Sequence, residues 1–216
     1  MLTDKGVHFL AIEGVIGVGK TSLARIIAER WNALCIEENY QDNPFLEKFY
    51  ENPEPYAFQT QLFFLLERHK QLQHSALQSD LFHDLLVSDY TFDKDAIFAA
   101  QNLSDSEFAM YEQVSKAIEH EIPRPDMVVY LQASIPTLLS RIKNRGRPME
   151  KSIEGSYLKG LQARYDLHFW HYPHAPVLII NTDHIDFVHN ENHLKLVLDA
   201  IESCPRQTTY FVPEGN

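Results

Sequence analysis

The stretch Val7-His8-Phe9-Leu10-Ala11-Ile12-Glu13-Gly14-Val15-Ile16-Gly17-Val18-Gly19-Lys20-Thr21 sets the reading of the whole chain. Its first part, Val7 to Ile12, is a short apolar run of the kind that fills a buried parallel strand. The second part carries glycine, four residues, then Gly-Lys-Thr, the spacing of a phosphate-binding loop between a strand and a helix. Glycines permit positive φ, so that successive backbone N–H groups converge on phosphate oxygens. The N-terminus of the following helix adds its partial positive charge. A plain glycine-rich turn would explain the glycines but not a lysine and a threonine at these two places. The run Gly14, Val15, Ile16, Gly17, Val18, Gly19, Lys20, Thr21 and Ser22 is therefore expected to hold ATP. Lys20 reaches for the β- and γ-phosphates and the Thr21 hydroxyl for Mg2+.

Outward from this loop the apolar pattern alternates between two periods. Ala33 to Ile36, Leu85 to Ser88, Met127 to Leu131 and Val177 to Ile180 repeat the buried-strand signal. Helical spacing fills Ser22 to Trp31, Pro55 to about Gln78, Ser104 to His120, Ile135 to Asn144, Gly155 to Phe169 and Glu191 to Ile201. Ser104 with Glu107 three residues on is a capping box. Strands alternating with helices predict an α/β fold, a five-stranded parallel sheet with helices on both faces. Residues 1–204 form one domain, with an arginine-rich lid at about 141–155, and residues 205–216 form a flexible tail.

Bulk composition narrows the chemistry. The net charge of −11 argues against a broad nucleic-acid surface, which needs excess lysine and arginine. No run of about 18 apolar residues exists to span a membrane, and Met1 to Lys5 lack a signal peptide's apolar stretch. Cys35 and Cys204 suggest no disulfide framework, so a reduced, cytoplasmic protein is expected. His168, His171 and His174 recur at a regular interval, but Pro173 interrupts them and no cysteine accompanies them, which disfavours zinc.

Three further clusters bear on the reaction. Ser88-Asp89 ends a strand at the sheet edge where ligands gather, and Asp89 is placed to hold Mg2+ with Thr21. Arg141 and Arg145 stand four apart on one helix, and Arg147 follows Gly146. Such a lid stabilises charge on a transferring phosphoryl group. Glu37-Glu38 follows the second strand; a carboxylate there would face the loop as a general base, but such a pair is more often solvent-facing, and the residues alone leave the choice open.

These residues resemble the deoxynucleoside kinase family, in particular its bacterial deoxyadenosine/deoxyguanosine kinase branch. The likeness runs nearly end to end, through Asp42-Asn43-Pro44-Phe45-Leu46, Phe58-Gln59, Arg68-His69-Lys70-Gln71-Leu72, Ser88-Asp89-Tyr90, Ile97-Phe98-Ala99, Arg145-Gly146-Arg147-Pro148 and Ser156-Tyr157-Leu158. The resemblance implies transfer of the ATP γ-phosphoryl to the 5′-hydroxyl of a deoxynucleoside, with purines preferred. It places the general base on Glu38, the base-recognising amide on Gln59, and contacts to the 3′-hydroxyl on Tyr50 and Glu150. It gives Asp89 the magnesium and phosphate side, Asp95 a part in base selection, and Asp186-Phe187 the adenine-contacting loop. Where many relatives carry an arginine after the strand-end acid, this chain has Tyr90.

The resemblance also implies a homodimer, for which the helices after Pro55 and Ser104 are the candidates. Phe45, Tyr56 and Phe63 are aromatic residues that either line the base pocket or belong to the core. Two rival functions remain: a nucleoside monophosphate kinase of the thymidylate kinase type, and a nucleotide-binding module without catalysis. The first requires extra cations for an acceptor phosphate, and the second leaves a base, an acid and a lid without purpose.

Overall fold

A computed structural model describes residues 2–213 of the chain. β1 (Phe9–Gly14) runs into the phosphate loop and then α1 (Lys20–Trp31). β2 (Leu34–Ile36) is followed by α2 (Leu46–Glu51) and the long α3 (Ala57–Phe82). β3 (Leu86–Ser88) leads to α4 (Lys94–Asn102) and α5 (Asp105–Ile118). β4 (Met127–Gln132) is followed by α6 (Ile135–Arg145), a 3-10 turn over Pro148–Ser152 and α7 (Gly155–Trp170). The chain continues through β5 (Val177–Asn181), α8 (Glu191–Ser203) and β6 (Thr209–Phe211).

Among the described residues the strands form one six-stranded sheet in the order β2-β3-β1-β4-β5-β6, every pair parallel. The five predicted strands are all present. The sixth lies in the segment expected to be a flexible tail; it spans only Thr209–Phe211 and is half open to solvent, so it carries no hydrophobic period to read. It is held by backbone pairing to β5, with Tyr210 opposite Ile179. Every residue of β1 is buried, which requires helices over both faces of the sheet. Full burial of a side chain such as Leu10 or Ile12 contributes about 1.5–3 kcal/mol.

Local signals fix the helices. The capping box is present, with the Ser104 N–H donating to Glu107 Oε2 at 3.0 Å. Gly146, at φ 70°, ends α6 by donating its N–H to the Ile142 carbonyl at 3.2 Å. His168, one of the periodic histidines, packs edge-on against Phe169 with ring centroids 4.9 Å apart. Among the described residues no helix is long and apolar enough to cross a membrane.

Register positions the site. Ala11 lies opposite Ser88, and Ser88 opposite Ile36, so β1, β3 and β2 end level with one another. The phosphate loop, Asp89 and Glu37-Glu38 thus emerge at one edge, the carboxyl end of a parallel sheet, where open α/β folds bind ligands.

Candidate active site

Two glycines show why the loop needs them. Gly14 has φ 145°, and a Cβ there would lie 2.5 Å from the Leu131 carbonyl oxygen. Gly19 has φ 111°, and a Cβ there would lie 2.8 Å from Phe187 Cζ. Ile16, Gly17, Lys20 and Thr21 line a cavity of about 410 Å³, while Ser22 sits behind them in the first turn of α1. The Lys20 ammonium is folded back, donating to the Gly14 carbonyl at 2.7 Å and the Val15 carbonyl at 3.2 Å. Burial, and then the nearby Lys94 charge, bring its pKa down to about 7.

Across the cavity, Asp89 joins two elements. One carboxylate oxygen accepts from the Thr21 hydroxyl and the other from the Glu38 N–H at 2.8 Å. The Glu38 side chain sits in a buried charge cluster. Its Oε1 accepts from both Nε and Nη2 of Arg68, and its Oε2 accepts from Lys94 Nζ at 2.7 Å. Burial alone would raise the Glu38 carboxyl, but Lys94 and Arg68 outweigh it and hold the group well below the usual carboxylate range. Arg68 is itself pinned through Nη1 to Asp95, which also accepts from the Tyr111 hydroxyl at 3.2 Å. Burial pushes Asp95 up to about 6 despite that cation. Glu37 pairs instead with Arg25 at the rim.

The structure brings together Lys20, Thr21, Glu38, Tyr50, Asp89, Arg145, Arg147 and Glu150 around the one cavity. Tyr50 is half-buried against Phe49, with ring centroids 5.5 Å apart, and desolvation of its phenol raises it far above the usual value. Glu150, 5% exposed, receives Arg145 Nη2 at 2.6 Å and Arg147 Nη1 at 3.3 Å. The Arg147 guanidinium also lies 3.9 Å from the Tyr40 ring centroid, bridging the lid to the loop after β2.

Other residues expected at the site stand off the cavity wall. Gln59 is exposed and lies outside the cavity, whereas Gln61 is buried, lines it, and has an Oε1 without a hydrogen-bond partner. Two residues on a helix are about 200° apart, so the amide that faces the cavity is the second one. Arg141 separates from the other two arginines: it donates to the Thr182 hydroxyl at 2.9 Å, the Thr182 carbonyl at 2.8 Å and the Val18 carbonyl at 3.2 Å. Asp95 does not line the cavity and reaches it only through Arg68. Phe45, Tyr56 and Phe63 are likewise off the cavity wall, which uses Phe49, Phe64 and Phe98. Phe187 is buried against Gly19, and exposed Asp186 accepts from the Val188 and His189 N–H groups, so both belong to a loop behind the phosphate site.

The missed residues are Gln61, Arg68 and Lys94. Gln61 and Arg68 lie seven apart on α3, two turns on one face, together with buried Phe64, Leu65 and Leu72. A stripe drawn from apolar residues alone passes over them. Lys94 opens the short helix α4, which the apolar periodicity did not reveal. Tyr90, standing where an arginine is expected, turns into the core and donates its hydroxyl to Gln71 Oε1 at 2.7 Å.

A parallel sheet, a phosphate loop, a strand-end acid and an arginine lid define a P-loop phosphotransferase. Comparison with known proteins narrows the class: residues 10–204 match the deoxynucleoside kinase family. Bacillus subtilis deoxyguanosine kinase is 37% identical over 88% of this chain and 93% of its own length. Lactobacillus acidophilus deoxyadenosine kinase is 30% identical over 93% and 98% respectively. The structure of a deoxyadenosine kinase from M. mycoides with products bound shares the fold, with a TM-score of 0.76 at 24% identity, covering 90% of this chain and 99% of that one. The chain belongs to the deoxynucleoside kinase family. It is a nucleotide-binding enzyme that phosphorylates nucleosides, and the thymidylate kinase and non-catalytic readings fall away.

Proposed function

We propose that this enzyme transfers the γ-phosphoryl group of ATP to the 5′-hydroxyl of a purine deoxynucleoside, releasing the deoxynucleoside monophosphate and ADP. The observation that carries this reading is the Asp89 bridge, which fixes a half-buried carboxylate, Glu38, beside the hydroxyl of the phosphate loop. Glu38 takes the proton of the 5′-hydroxyl as its oxygen forms the new bond to phosphorus and the bond to the β-phosphate oxygen breaks. Thr21 and Asp89 offer adjacent hard oxygen donors, which suit Mg2+; the ion would neutralise phosphate charge when bound. Lys20, Arg145 and Arg147 are the protein's own cations for the phosphates.

Gln61 presents an amide to the base, and its unpartnered Oε1 supports that role over Gln59. An amide both donates and accepts, so it suits a base edge with the same pair of functions. Tyr50 and Glu150 take the 3′-hydroxyl, with Arg145 and Arg147 holding the Glu150 carboxylate in place. Arg141, Asp186 and Phe187 border the loop on the side away from Glu38, where the adenine of ATP would lie. The names of the deoxyguanosine and deoxyadenosine kinases similar to this chain support a purine acceptor and a place in nucleotide salvage. The thiols Cys35 and Cys204 are free, in keeping with a cytoplasmic enzyme. A homodimer through α3 and α5 would cover Leu66 and Met110, exposed on these contacting helices.

The test is incubation with ATP, Mg2+ and each deoxynucleoside in turn, followed by separation of products. Deoxyguanosine or deoxyadenosine should give a 5′-monophosphate at the highest kcat/KM. Preferential turnover of pyrimidine deoxynucleosides would overturn the purine assignment, and turnover of nucleoside monophosphates alone would overturn the acceptor.

A further inference from the structure

Lys94 is a buried ammonium with an unusual set of neighbours. Its side chain is 5% exposed, and Glu38 Oε2 accepts its hydrogen bond at 2.7 Å. Phe98 lies beneath it, the Nζ 5.9 Å from the ring centroid. The group also lies within electrostatic reach of Lys20 and of buried Glu13 behind the phosphate loop. Lys94 lines the same cavity as the Glu38 carboxylate and the phosphate loop.

Lone-pair counting separates the two oxygens of Glu38. Oε1 accepts twice from Arg68 and has no lone pair to spare, whereas Oε2 accepts once, from Lys94. The open lone pair on Oε2 is thus the one a substrate hydroxyl can reach, and Lys94 is its immediate neighbour. The two cations differ in freedom. Arg68 is a planar fork held at its other end by Asp95, so it cannot follow a moving charge. Lys94 carries three donors on a flexible stem, and Glu38 is the carboxylate it pairs with directly.

We propose that Lys94 is a catalytic cation which passes from Glu38 Oε2 to the oxygens of the transferring phosphoryl group as Oε2 takes the proton of the acceptor hydroxyl. The proposal rests on the reading of Glu38 as the base. Protonation makes Glu38 neutral, and the negative charge it loses reappears on the acceptor oxygen and then across the phosphoryl group. A buried ammonium left beside a neutral carboxyl is poorly compensated, so the same event that consumes the base frees Lys94 to follow the charge. This gives the chain the cation that Tyr90 does not provide, delivered from α4 rather than from the strand end.

A double-mutant cycle on kcat tests the proposal. Lys94→Met should lower kcat about a hundredfold with KM for ATP and deoxynucleoside changed little, and Lys94→Arg should restore most of the loss. In the Glu38→Gln background, where no proton is taken up by a carboxylate, Lys94→Met should still cost about tenfold or more, because the phosphoryl group remains to be stabilised. If Lys94 only holds Glu38, the double variant will match Glu38→Gln alone, and the proposal is overturned. Full turnover by Glu38→Gln would overturn the base reading and the charge handover with it, a result distinct from the first. Lys94→Gln, similar in length and uncharged, carries the same cycle if the methionine variant does not fold.

Discussion

The two halves of the cavity are built to different degrees. On the acceptor side, Glu38, Arg68, Asp95 and Tyr111 form a continuous network, and Gln61 lines the cavity with its Oε1 unpartnered. On the phosphate side the cations rest on the protein's own oxygens: Lys20 on the Gly14 and Val15 carbonyls, and Arg145 and Arg147 on Glu150. Buried charge without a partner is costly, so each of these cations is paired with an oxygen of the protein. Selection of the nucleoside can be rigid because it uses neutral hydrogen bonds, while phosphate binding requires side chains to exchange partners. Lys94 sits on the boundary and belongs to both.

Breaking the acceptor half at its chemical centre should have the largest effect. Glu38→Gln is expected to lower kcat about a thousandfold while ATP binding, followed by calorimetry, stays near wild type. Removing a parked cation comes next: Arg145→Ala should lower kcat about a hundredfold without abolishing binding of the deoxynucleoside alone. Equal losses in both measurements would mean that the two halves are not separable. The base-recognition assignment is sharpened by a pair of variants. Gln61→Ala should raise the deoxynucleoside KM about tenfold or more and leave the ATP KM unchanged, whereas Gln59→Ala should change neither. The smallest effect is expected away from both halves, where Ser104→Ala should lower the Tm by about 2–4 °C through loss of the α5 cap, with kcat unaltered.

The phosphate half was the more legible in sequence. Its loop is contiguous, so Gly14, Lys20 and Thr21 can be read from spacing, and the strand-end position of Asp89 follows from the alternation of strands and helices. The acceptor half is assembled from α3, α4 and the loop after β2, and spacing within one segment does not report on contacts between segments. The shift from Gln59 to Gln61 illustrates the difficulty. Both lie on one helix, and the choice depends on which face meets the cavity, which buried Arg68 and Phe64 mark but an apolar count does not. Arg141 stands apart for a different reason. Its four-residue spacing from Arg145 places both on one side of α6, yet a full turn along the axis is enough to carry it to Thr182 and away from the lid. The sixth strand, three residues long, lies below the length at which a pattern exists.

Calorimetric titration of the ATP-free enzyme with its preferred deoxynucleoside tests the division of the cavity most directly. A preformed acceptor half should bind the nucleoside without ATP, and that binding should weaken about tenfold or more in Gln61→Ala and be kept in Arg145→Ala. Binding that takes place only after ATP is added, or that survives Gln61→Ala unchanged, would contradict the account.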